Sequence, residues 1–227
     1  LRANVANSTS VAIGHNSMKY ADSRTSGTTT GNTAIGYEAL MGSTTAANNT
    51  GQNNTSVGYQ SMLSNTSGTQ NSAFGNLALN SNTTGSYNTA FGNQALGVNT
   101  TGTNNTAVGY QSLVNNTIGG SNTSVGYGAL AYNTIGSANS AFGLNALSAN
   151  STGANNSAFG ANALVSNTTG KQNCAFGRNA LYSNTTGVNN TAVGTNALYS
   201  NTTGAYNNAV GLNSLYGNTV GTRNNAF

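Results

Sequence analysis

The sequence predicts an all-β chain folded as a parallel β-solenoid of about thirteen coils. Two observations carry that prediction. A glycine mark recurs at a fixed 17-residue interval, and the apolar residues tied to it follow neither the 3.6-residue period of a helix nor a long two-residue alternation. A third observation, composition, agrees: 42 asparagines, 33 threonines and 30 glycines in 227 residues, with no proline. Glycine and asparagine are poor helix formers that favour turns, so short strands between corners fit the pattern.

The mark is the glycine that follows Val, Ile or Phe. Gly58, Gly75, Gly92, Gly109, Gly126, Gly143, Gly160, Gly177, Gly194 and Gly211 stand 17 apart without a slip, and Phe227 ends the chain where another mark would follow. Upstream, Gly14, Gly36 and Gly58 stand 22 apart, with Gly42–Ala47 as the expected insertion in the second coil. Residues 1–57 are therefore read as irregular N-terminal coils and residues 58–227 as a regular array, both parts of one continuous solenoid. Thirteen coils at the strand spacing of ~4.8 Å give a rod of roughly 60 Å.

Three positions per coil are expected to point inward. They are the large apolar residue before the mark (Ile13, Phe74, Phe91, Val108, Phe142), the Leu or Met four after it (Met18, Leu40, Leu79, Leu113, Leu147, Leu181, Leu215), and the Thr, Ile or Val nine after it (Thr84, Ile118, Ile135, Thr169, Val220). One such coil cannot bury a core alone, whereas stacked copies share a continuous column. Stacking also accounts for two asparagine columns. One, seven after the mark, runs through Asn65, Asn82, Asn99, Asn116, Asn133, Asn150, Asn167, Asn184, Asn201 and Asn218; the other, four before it, begins at Asn32, Asn54 and Asn71. Amides in register donate and accept along the axis, and asparagine tolerates a left-handed corner. The Ala/Ser columns two before and three after the mark are expected at the outer face, letting thin coils associate as a homotrimer around an axis.

Composition excludes several function classes. Charged residues are 4% of the chain, with Asp22 and Glu38 the only acids and His15 the only histidine. That is too few for a repeated carboxylate dyad, a multi-histidine metal site or a calcium site of six to eight oxygens, so no enzyme, metal or cofactor is expected. The net charge of +4 comes from scattered residues, Arg2, Lys19, Arg24, Lys171, Arg178 and Arg223, which form no stripe for phosphates, so no nucleic-acid partner is expected. No apolar run approaches the about 20 residues of a membrane span, so no membrane insertion is expected. Without an initiator methionine, and ending inside a repeat, the sequence is expected to be a piece of a longer chain.

Ser10-Val11-Ala12-Ile13-Gly14-His15-Asn16-Ser17 resembles the head repeat of trimeric autotransporter adhesins. Asn105-Thr106-Ala107-Val108-Gly109-Tyr110-Gln111-Ser112-Leu113 resembles the longer variant of that repeat in viral and bacteriophage tail fibres. The resemblance covers essentially the whole chain and implies a left-handed parallel β-roll, trimeric, extracellular, on a cell surface or on a virion, serving as the stalk or head of an attachment fibre. The autotransporter unit is shorter than 17 residues, and nothing in the sequence resembles that family's membrane anchor or coiled-coil stalk, or the self-cleaving chaperone domain that often ends tail fibres.

Other candidates are weighed beside this reading. Asn65, Asn82, Asn99, Asn150, Asn167, Asn184 and Asn201 each open an Asn-x-Ser/Thr sequon at one repeat position, which offers a glycan coat as well as a structural ladder. Threonine columns suggest an ice-binding face, with the objection that Thr three before the mark shares the face of the residue expected to be inward. Tyr37, Tyr59, Tyr110 and Tyr127, and Tyr182, Tyr199 and Tyr216, form two partial stripes that could meet a host-surface glycan or protein. Cys174, in the column three before the mark, is expected to be a buried, inert thiol. The functional expectation is a non-enzymatic fibre shaft or head that supports surface attachment, with a head-to-tail filament and an ice-binding solenoid as alternatives.

Overall fold

A computed structural model describes residues 9–21 and 30–227. Asp22, Arg2 and Arg24 lie outside them. The chain forms two compact units, Leu1–Ile118 and Gly119–Phe227. Each is a parallel β-solenoid without an α-helix among the described residues. The first unit carries β1 (Val11–Ile13), β2 (Thr33–Ile35), β3 (Thr55–Val57), β4 (Ser72–Phe74), β5 (Thr89–Phe91) and β6 (Thr106–Val108). The second carries β7 (Thr123–Val125), β8 (Ser140–Phe142), β9 (Ser157–Phe159), β10 (Cys174–Phe176), β11 (Thr191–Val193), β12 (Asn208–Val210) and β13 (Asn225–Ala226).

Within a unit each strand pairs in parallel with the next and in strict repeat register, Ser72 opposite Thr89 and Phe74 opposite Phe91, for example. Only three residues per coil form a strand, yet the corners also bond from coil to coil. Leu79 N–H donates to Ala95 C=O at 2.9 Å, Thr83 N–H to Thr100 C=O at 2.9 Å and Gly92 N–H to Phe74 C=O at 2.8 Å. Nearly the whole perimeter is thus a hydrogen-bonded ladder, which is why proline, lacking a donor, has no place in it.

The mark glycine makes the first corner. Gly75 has φ +136°, and a Cβ there would stand 2.5 Å from the carbonyl oxygen of Gly92 in the next coil, so only glycine fits. Two left-handed residues follow, at two and four after the mark, as in Leu77 (φ 56°) and Leu79 (φ 52°). The 22-residue spacing from Gly36 to Gly58 is absorbed by an excursion containing a 3-10 turn, Ala46–Asn48; the extra residues between Gly14 and Gly36 include 22–29, outside the described residues. Asn49 closes the excursion: its side chain accepts from Ser43 N–H at 2.9 Å and donates to Ser43 C=O and Tyr20 C=O, both at 2.8 Å.

The interior is narrow, lined by small residues, Leu or Met, and asparagine. Its apolar half consists of the residue two before the mark, the residue three after it and the Leu or Met four after it. Ala90, Ala95 and Leu96 are all fully buried. Where serine replaces alanine its hydroxyl is satisfied inside, as Ser56 Oγ with Ser61 Oγ at 2.5 Å and Ser61 C=O at 2.8 Å. The Ala/Ser columns, expected at an outer association face, are therefore the core. The residue before the mark, expected to be inward, points out: β2 to β12 each bury only their middle residue, and Ile13 and Phe91 are each 57% exposed. The position nine after the mark is outward too, with Ile118 58% exposed. A three-residue strand carries alternate side chains on opposite faces, so burying the alanine obliges both flanking residues to face away.

Candidate functional site

The other half of the interior is made of amides. In each regular coil the asparagines four before and seven after the mark converge on one carbonyl. Asn71 Nδ2 and Asn82 Nδ2 each donate to Gly85 C=O at 2.9 Å. Both columns also reach back to the coil before. Asn82 Nδ2 donates to Asn65 Oδ1 at 2.8 Å, and the backbone N–H of Asn71 donates to Asn54 Oδ1 at 3.0 Å. In the first unit the ladder runs Asn65, Asn82, Asn99, Asn116. In the second it links Asn133 to Asn150, Asn167, Asn184, Asn201 and Asn218. The predicted ladder is thus present and buried. A buried amide with every donor placed stabilises the fold, whereas one left unpaired costs about 1–3 kcal/mol.

That placement decides the sequons at Asn65, Asn82, Asn99, Asn150, Asn167, Asn184 and Asn201. All seven side chains are at most 2% exposed. A glycan coat on this column does not fit the folded coil, because the nitrogen that would carry the sugar lies inside and is engaged in the ladder.

The strands also present a repeated outward face. In β2 to β6 it carries Thr or Ser three before the mark and Val, Ile or Phe one before it: Thr-Ala-Ile, Thr-Ser-Val, Ser-Ala-Phe, Thr-Ala-Phe and Thr-Ala-Val. Among the described residues no strand contains a charged residue. On this face Phe142 stacks on Phe159 and Phe159 on Phe176 with ring centroids 4.7 Å apart in the second unit, while Phe74 and Phe91 in the first meet at a tilt with centroids 5.7 Å apart. Register leaves an apolar column on the outer side, half-buried at Phe142 and Phe159 and exposed at Phe91 and Phe176. It also answers the objection to a threonine face: Thr three before the mark does share a face with the apolar residue, and that face is outside.

Cys174 belongs to this outward column, half-buried rather than enclosed as expected, and partial burial pushes its thiol above the usual range. The tyrosine stripes lie elsewhere on the coil. Tyr182, Tyr199 and Tyr216 stack with centroids 4.9 Å apart, and His15, Tyr37 and Tyr59 form a second stack at 5.4 and 5.3 Å. The ring faces of these residues are largely taken by each other, which leaves edges and hydroxyls outward. Glu38 sits beside this second stack. A hydrogen bond from Gln60 Nε2 at 2.8 Å, together with Tyr37, Asn16 and the nearby His15, holds its carboxyl below the usual range against a smaller opposing effect of burial. Among the described residues no three His, Cys, Asp or Glu side chains gather where they could hold a metal ion, and no helix is long and apolar enough to cross a membrane.

No family model, no curated protein and no solved structure matches the chain.

Proposed function

We propose that this chain is the shaft or head repeat of an extracellular or virion fibre, a structural protein that supports surface attachment, with its copies joined as a homotrimer along the outward strand face. The observation that carries this reading is the column of Val, Ile and Phe on a charge-free, solvent-facing sheet. Contiguous exposed apolar surface of this kind marks an interaction site. Three copies can bury it around an axis, in place of the small-residue faces that the coil interior has already used. The amide ladder supplies rigidity, and the variable residues after the mark and the tyrosine edges offer contacts to a glycan or protein on a host surface.

Analytical ultracentrifugation of the purified chain tests it. A trimer is expected, and replacing Phe142, Phe159 and Phe176 with asparagine is expected to shift the species toward monomer while the far-ultraviolet spectrum is retained. A monomeric parent would sink the reading, and rods that lengthen with concentration would favour the head-to-tail filament.

A second reading has its own support. Thr33, Thr55, Thr89 and Thr106 lie in register on that outward face in the first unit, on a lattice set by the ~4.8 Å strand spacing. Such an array could order water as an ice-binding surface. Thermal hysteresis of the monomeric triple variant and of the parent separates the two functions.

A further inference from the structure

The sequons divide into two structural classes. The ladder class comprises the seven asparagines seven after the mark, joined by Asn54 and Asn122 four before it, whose sequons are Asn54-Thr55-Ser56 and Asn122-Thr123-Ser124. All of these are buried. Asn150 shows what their amides do: Nδ2 donates to Asn133 Oδ1 at 2.8 Å and to Gly153 C=O at 3.0 Å, and Oδ1 accepts from Asn167 at 2.8 Å. The outer class includes Asn53, Asn104 and Asn155, which open Asn-Asn-Thr or Asn-Asn-Ser five before the mark. They are exposed, at left-handed corners with φ 56°, 59° and 59°.

N-glycosylation moves an oligosaccharide from a lipid pyrophosphate donor to Nδ2. The sugar C1–N bond forms, the C1–O bond to phosphate breaks, the amide gives up one proton and the lipid pyrophosphate leaves. On Asn150 this removes one of two ladder hydrogens and sets a sugar where a neighbouring coil packs. On Asn104 it adds a sugar in open solvent.

We infer that folding and N-glycosylation of the ladder asparagines are mutually exclusive, so that this chain is made where no N-glycosylating enzyme meets it unfolded, and that in the folded protein only outer sequons such as Asn53, Asn104 and Asn155 accept a glycan. The enzyme of the secretory route acts on extended nascent chains, in which both classes are equally open. The inference is independent of the fibre reading, because it rests on the ladder alone.

The repeats themselves supply the control. Ile118, Ile135 and Val220 stand at the sequon's third position in coils that keep the ladder asparagines Asn116, Asn133 and Asn218. Replacing Ser67, Thr84, Thr101, Thr152, Thr169, Thr186 and Thr203 with valine, and Ser56 and Ser124 with alanine as at Ala73, removes every ladder-class sequon named here and leaves each asparagine in place. Parent and variant are directed to the secretory route of a eukaryotic cell, with the parent also made in bacterial cytoplasm. Site occupancy is read by mass spectrometry and folding by protease resistance.

The expected result is a folded bacterial product, a secretory parent glycosylated on the ladder set with loss of its protease-resistant core, and a variant that regains the core with sugar on outer sequons. A secretory parent that is protease-resistant overturns the inference, whether its ladder asparagines carry glycans or escaped them. So does a variant that carries no ladder glycan yet folds no better than the parent.

Discussion

The residue four after the mark shows how backbone conformation selects a side chain. It is Leu or Met in every coil, fully buried at Leu147, and its φ of 53° there is in the left-handed region. Branching at Cβ is poorly tolerated at positive φ, so Val and Ile, abundant one residue before the mark, are absent here. Leu147→Met is expected to cost less than about 1.5 kcal/mol, as volume-conserving swaps do. Leu147→Ile, equal in volume, is expected to cost at least about 1 kcal/mol more, from added strain at the left-handed backbone. Urea unfolding of the two variants checks this, and equal losses would remove the conformational explanation.

At the scale of the coil, the mark glycine couples each strand to the next. Gly75→Ala would place a methyl group 2.5 Å from the Gly92 carbonyl oxygen, on a backbone whose φ of +136° disfavours any side chain. The obstacle is backbone, which cannot swing aside as a side chain does. Hydrogen exchange is expected to show the loss first at amides joining β4 to β5, such as Gly92 N–H, while β8 to β12 keep their protection. Uniform loss across both units would contradict a local break.

The coil is also where legibility in the sequence divides. The strands, their parallel register and the amide ladders follow from the spacing, because identical positions stack once the period is known. Which way each strand faces does not follow from the size of its residues. A rule that puts the larger apolar residue inside fails where one coil encloses room for alanine, leucine and two amides. A sharper signal was present. Val57, Phe74, Phe91 and Val108 interchange freely along one column, whereas Ser56, Ala73, Ala90 and Ala107 beside them keep one small volume. A packed interior does not absorb a Val-to-Phe change from one layer to the next, so uniform volume identifies the buried column better than hydrophobicity does. The candidate site depends on the same facing: Cys174 and the threonines lie outside because the residue before the mark does.

For the whole chain, the scarcity of titratable groups governs the response to solution conditions. Stability changes with pH only where folding changes proton uptake; the chain holds two acids, and among the described residues Glu38, Tyr37 and Cys174 carry such a change. Glu38, held below its usual range, contributes above the unfolded carboxylate value and loses that contribution as pH falls through its lower folded value. Tyr37, raised chiefly by its hydrogen bond and proximity to Glu38, and Cys174, raised by burial, contribute in the opposite sense. Their share is present below their unfolded values and lost as pH rises through the folded ones. Between these alkaline and acidic limits the melting temperature is expected to stay nearly level, and to respond little to added salt. A steep dependence near neutral pH would point to ionic contacts that the ladder account lacks.

The Gly85 carbonyl, shared by Asn71 and Asn82, has a further consequence for heredity. Each regular coil presents to its successor the same set of donors and acceptors that it meets in its predecessor. Recombination between neighbouring repeats that adds or deletes 17 residues therefore leaves every amide inside a unit satisfied, and only the length differs. Frameshifts of the repeat by any other number of residues must be looped out at a corner, as around Ala46–Asn48. Number of coils is the trait that such a gene can vary from one generation to the next without first acquiring a new fold.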